Sequence, residues 1–132
     1  MVNSVSSARV LIVDDNAVVR SALSGVIRQD ERLVLVGEAP SGDAALEMIE
    51  TTMPDLVCLD VLMQGSDGLT VLRRIREEHP TIRVLMISGQ ATSEVVKQAL
   101  QLGAHGFVVK PFNAGKVLNA IHSALDRGAA DR

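Results

Sequence analysis

The sequence predicts a single α/β domain: a (βα)5 chain forming a five-stranded parallel sheet, doubly wound, with helices on both faces. Three observations predict it. Short runs rich in β-branched residues alternate five times with amphipathic stretches long enough to be helices. The short runs lack polar alternation, as strands covered on both sides do. At 132 residues with 47% hydrophobic side chains, the chain suits one compact domain and can fill its core.

The strand segments are Arg9 to Val13 (RVLIV), Leu33 to Val36, Leu56 to Leu59, Arg83 to Ile87 and Gly106 to Val109, each bounded by turn residues. The first helix runs roughly from Asn16 to Gln29, with Val18, Ala22 and Val26 on one face. Ser41 to Thr51 pairs Ala44/Ala45 with Met48/Ile49 at a spacing of four, Ser41 serving as N-cap and Asp43 sitting in the first turn. Gly68 to His79 aligns Leu69, Leu72 and Ile75 and is stopped by Pro80. Thr92 to Leu102 turns Val95, Val96, Ala99 and Leu100 inward, with Gly103 as C′. Asn113 to Arg127 buries Val117, Leu118, Ile121 and Leu125 and ends at Gly128. The domain therefore occupies residues 9–127, with residues 1–8 and 128–132 as loose ends.

Composition excludes several roles. Aromatic residues make up 2%, with no Trp or Tyr, so base-stacking platforms and an aromatic-lined pocket are missing. A formal net charge of −3 argues against a direct nucleic-acid surface. Cys58 is the one cysteine and has no internal partner. No apolar run approaches the roughly 18 residues of a membrane span. Met1 to Ala8 lacks the layout of a signal peptide, so a cytoplasmic protein without membrane insertion is the expectation.

In an open parallel sheet, chemistry gathers at the carboxyl ends of the strands. Strand one ends in Asp14-Asp15-Asn16, strand three in Asp60, strand four in Ser88-Gly89 and strand five in Lys110-Pro111. Three carboxylates, a hydroxyl and an ammonium thus converge on one edge. Carboxylates a few ångströms apart repel by several kcal/mol at an intermediate dielectric, which calls for a cation. Mg²⁺ suits oxygen ligands and bridges carboxylate to phosphate, and a carboxylate can be the nucleophile that forms an aspartyl-phosphate. Each residue also has a plainer reading: Asp14-Asp15 as helix caps, Asp60 as a turn residue, Lys110 as a surface lysine, and Ser88 and Phe107 as core. The three histidines show no metal-ligand spacing.

The ordered motifs LIVDD, LD followed by GSDG, MISG and VVKPF resemble a response-regulator receiver domain over nearly the whole chain. The resemblance implies a flavodoxin-like fold. It implies Asp60 as phosphoacceptor and a Mg²⁺ site from Asp14, Asp15, Asp60 and the backbone carbonyl of Leu62. Ser88 and Lys110 would hold the phosphoryl group, Ser88 and Phe107 would act as the switch, and the Lys110–Pro111 bond would be cis. The implied partners are a sensor histidine kinase or histidine phosphotransfer protein, and a target docking on the Thr92–Leu102 helix, strand five and the last helix. The implied state is a monomer or weak phosphorylation-dependent dimer, catalysing only its own phosphorylation and dephosphorylation. One departure is Gln64, where the family usually has proline; another is Phe107, where Tyr is common. Leu62 and Gln90 flank the site at variable positions.

Three rival readings accompany this one. The chain could be a receiver excised from a multidomain regulator, or a phosphorylation-independent interaction module. A phosphohydrolase is disfavoured, because strand one ends Asp-Asp-Asn without an Asp-x-Asp nucleophile and no insertion is long enough for a cap.

Overall fold

The computed structural model describes residues 7–130. The looseness expected of residues 1–6, 131 and 132 lies outside them. Strands β1 (Ala8–Val13), β2 (Leu33–Ala39), β3 (Leu56–Leu59), β4 (Arg83–Ser88) and β5 (Gly106–Val109) form one parallel sheet in the order β2-β1-β3-β4-β5. Helices α1 (Ala17–Arg28), α2 (Gly42–Thr52), α3 (Gly68–Glu78), α4 (Ser93–Gln101) and α5 (Ala114–Ala130) link and follow them. The chain winds outward from β1 to β2, then reverses to β3 on the other side of β1. That reversal opens a crevice beyond the ends of β1 and β3.

Successive strand residues point to opposite faces, and this alternation sorts the core into two layers. Leu11, Val13, Val57, Leu59, Val84 and Met86 pack with Ile49 of α2, Leu72 and Ile75 of α3, and Ala99 of α4. Val10, Ile12, Leu56, Cys58, Leu85 and Ile87 pack with Leu23 and Ile27 of α1, and Val117 and Ile121 of α5. The three inner strands are the continuous apolar runs read from sequence. The two outer strands are not buried throughout: Val34 of β2 and Val109 of β5 are exposed, because an outer strand has a neighbour on one side only. β2 also runs three residues further than its apolar run, to Ala39, with a register irregularity opposite Val10/Leu11.

Helix boundaries follow local chemistry. Asn16 Oδ1 accepts from the N–H groups of Val18 and Val19, Ser41 Oγ from Ala44, Thr92 Oγ1 from Val95 and Asn113 Oδ1 from Lys116. Gly103, at φ +103°, closes α4 in a conformation that a side chain disfavours. Two helix faces differ from the sequence reading. The buried face of α1 is Leu23 and Ile27, flanked by Val19 and Val26, while Val18 is 78% exposed and Ala22 faces solvent. The apolar residues of α1 permit two stripes one position apart, and packing on β1 selects the one holding the larger side chains. Leu100 is also exposed, leaving Ala99 as the buried contact of α4. Finally, α5 continues through Gly128 to Ala130: a lone glycine among good helix formers costs only about 1 kcal/mol and does not stop a helix.

A two-stranded antiparallel ribbon, Leu62–Met63 with Ser66–Asp67, follows β3 and has no counterpart in the sequence reading. It delivers the chain to α3, whose N-cap is Asp67. The Gly68 N–H donates to the Val61 carbonyl at 2.6 Å. A Cβ at Gly68 would overlap the Asp60 carbonyl and lie 2.8 Å from Val61 Cα. At Gly25, exposed in α1, nothing lies within 4 Å of such a Cβ.

The two glycines should therefore respond oppositely to one added methyl. Gly25→Ala should raise unfolding free energy by about 0.5–1 kcal/mol. Gly68→Ala should lower it by about 3 kcal/mol, since backbone must move. Urea denaturation of both variants beside the wild type checks the pair.

Candidate functional site

Parallel register brings the predicted residues together. Asp60, one step past β3, donates its N–H to the Val13 carbonyl at 3.1 Å, which seats it beside the Asp14-Asp15 end of β1. Leu59 stands opposite Met86, so the same step on β4 reaches Ile87 and then Ser88. Lys110, just past β5, donates its N–H to the Ser88 carbonyl at 3.0 Å. The Lys110–Pro111 bond is cis, as the resemblance implied.

Asp14, Asp60 and Ser88 are buried, whereas Asp15 is exposed. The Lys110 ammonium donates to Asp14 Oδ2 at 2.8 Å and to Asp60 Oδ2 at 3.2 Å. Burial works against its charge, but the hydrogen bond it donates to Asp14 and the charges of Asp60 and Asp14 outweigh that and hold the Lys110 pKa above its ordinary value. Asp14 does not cap α1, which is the role of Asn16. Instead its Oδ1 accepts the Asn16 N–H at 2.9 Å while Oδ2 takes the ammonium.

Carboxylate oxygens of Asp14, Asp15 and Asp60 lie within 4.8 Å of one another. Three carboxylates against one ammonium leave the cluster with two uncompensated charges. Each unscreened pair at this range costs about 3–4 kcal/mol at an effective dielectric of about 20. The donors are all hard oxygens, and an ammonium already occupies a cation's place between two of them. That chemistry fits Mg²⁺.

Other predicted residues fall around this centre. Ser88 Oγ accepts the Gln90 N–H at 3.1 Å, tying the loop after β4 to the site. Leu62 lies in the ribbon with its side chain turned to solvent. Phe107 is half-buried on β5 and packs against the α2–α3–α4 layer. Cys58 is buried two residues before Asp60, and burial pushes its thiol pKa up to about 12, so it is no nucleophile. A second group of ligand-type side chains, Glu50, Glu78 and His79, is already engaged by the His79–Glu50 hydrogen bond and the Arg74–Glu78 ion pair.

The comparisons agree with this geometry. The model of the response regulator receiver domain matches residues 10–122. The chain belongs to the response regulator receiver domain family. Chemotaxis protein CheY of Bacillus subtilis is 37% identical over 118 residues, covering 89% of this chain and 98% of that one. A protein-glutamate methylesterase/protein-glutamine glutaminase of Trichodesmium erythraeum is 40% identical over 115 residues; the match covers 86% of this chain but 33% of that protein. Among solved structures, the CheX-CheY-BeF3-Mg+2 complex of Borrelia burgdorferi aligns with a TM-score of 0.85 at 33% identity, covering 89% of each chain. The protein is a CheY-like receiver domain of two-component signal transduction.

The contacts of two residues in this receiver domain escaped the sequence. Arg20 Nη1 donates to the Asp14 carbonyl at 2.7 Å, and its Nε lies 3.6 Å from Glu38. Arg20 sits one turn after the Asn16 cap, and helical side chains lean toward the N-terminus, so that spacing was the available signal. The Gln64 N–H donates to Asp15 Oδ2 at 2.9 Å; a main-chain donor leaves no such signal.

The raised Lys110 pKa has a measurable consequence. Its contribution to stability is complete below the ordinary lysine value of 10.5 and is lost as pH rises through the higher folded value. Wild-type unfolding free energy should therefore fall relative to Lys110→Met above about pH 10.5, a range in which a chain without tyrosine has few other groups to titrate. Urea titrations from about pH 8 to pH 12 read the difference.

Proposed function

We propose that this receiver is a Mg²⁺-dependent switch whose phosphoacceptor is Asp60. The observation that carries the reading is the Lys110 ammonium bonded to both Asp14 and Asp60, with Asp15 beside them. Asp60, one of the two buried carboxylates, follows the central strand β3, and one of its oxygens attacks the phosphorus of a phosphohistidine. The P–O bond forms as the P–N bond breaks, and the imidazole leaves neutral because its other nitrogen keeps a proton. Lys110, held by Asp14, stands where negative charge gathers on the transferred group. The Ser88 hydroxyl donates to a phosphoryl oxygen. Asp14, Asp15, Asp60 and the Leu62 carbonyl would hold Mg²⁺, which supplies charge neutralisation and a template for the phosphoryl oxygens. The presence of Mg²⁺ in the named CheY complex supports this ligand.

The donor partner is a histidine kinase or phosphotransfer protein, and the site of action is the cytoplasm. No described helix is long and apolar enough to cross a membrane. On phosphorylation Ser88 and its loop draw inward and the Phe107 ring repacks. The surface of α4, β5 and α5 then changes its affinity for a protein target by population shift. Leu100 and Val109 are large apolar side chains exposed on that surface, which supports its use for docking. Both the CheY relatives and the methylesterases, of which the chain spans about a third, contain a stretch similar to this receiver, so the output is proposed only as a protein surface.

Incubation with Mg²⁺ and a small acyl-phosphate donor, read by intact mass, tests the acceptor. Wild type should gain one phosphoryl group, while Asp60→Asn or chelation of Mg²⁺ should abolish the gain. Failure of the wild type with both the small donor and phosphorylated kinases would refute the reading.

A further inference from the structure

We propose that the backbone N–H of Gln64 is a positioning group that holds the Asp15 carboxylate ready for a divalent cation. The inference rests on the Mg²⁺ reading above and adds to it a part for the ribbon. Asp15 is the one exposed carboxylate of the three, and the Lys110 bonds go to Asp14 and Asp60. An exposed aspartate samples several rotamers, and a metal ligand must give up that freedom. Here the freedom is already restricted: the Gln64 N–H reaches Asp15 Oδ2 at 2.9 Å across 49 residues of sequence.

The donor is itself well anchored. Gln64 and Gly65 form the turn of the ribbon, whose stem buries Met63 and is closed by the Gly68 N–H on the Val61 carbonyl. One Asp15 oxygen is thus fixed by the arm that follows Asp60, and the other is left for a cation. The two arms of the carboxylate cluster, one from β1 and one from β3, become a closed frame. Proline at position 64, the residue the resemblance leads one to expect there, has no N–H and could not make this bond. The substitution therefore adds an outer contact of the kind that orients metal ligands.

The test uses the whole chain and Mg²⁺ alone. Calorimetric titration compares wild type with Gln64→Ala, which keeps the N–H, and Gln64→Pro, which removes it. Gln64→Ala should stay within about twofold of wild type, and Gln64→Pro should bind roughly tenfold more weakly. Equal or tighter binding by a folded Gln64→Pro overturns the positioning role while leaving the Mg²⁺ reading intact. A wild type that takes up no Mg²⁺ refutes both. Amide exchange of Gln64 in the wild type provides a readout that needs no variant to fold. Protection retained when Mg²⁺ is added supports positioning, and protection lost on Mg²⁺ addition overturns it, because the N–H and the ion would then compete for Asp15.

Discussion

The rest of the site depends on one ammonium group between two buried carboxylates. Asp14 and Asp60 stand on adjacent strands with almost no access to water, an arrangement that is unstable unless a cation is present. Lys110 supplies that charge from the far side of β4, so the ends of β1, β3 and β5 are clasped by a single side chain. The clasp offsets part of the repulsion between the two buried carboxylates. It leaves residual negative charge that only a further cation or a cationic partner can relieve.

Most of this fold was legible because buried parallel strands impose a strong sequence signal. LIVDD and VVKPF place the strand ends to within a residue, and the strand ends place the chemistry. What was not legible has two physical origins. On α1 and α4 the apolar residues spread over more than one stripe, so periodicity alone could not choose the face, and Val18 and Leu100 were assigned to the wrong side. The ribbon after β3 and the Gln64 bond depend on main-chain geometry, which side-chain identity barely encodes. Gln64 read simply as a missing proline.

The close approach at Gly68 shows how tightly local backbone serves the site. The carbonyl of Asp60 lies against the α carbon that begins α3, so Asp60 is braced from behind by the first turn of a helix. Its side chain is aimed by that brace and by the β1 contact together.

The sheet also acts as a partition. Phe107 packs into the layer of α2, α3 and α4, while its neighbour Val108 packs into the layer of α1 and α5. In the proposed switch, a turn of the Phe107 ring would be felt first in the layer of α2, α3 and α4, on one side of the sheet alone. Five strands divide the two layers, and the outer strand β5 exposes Val109 to solvent beside them.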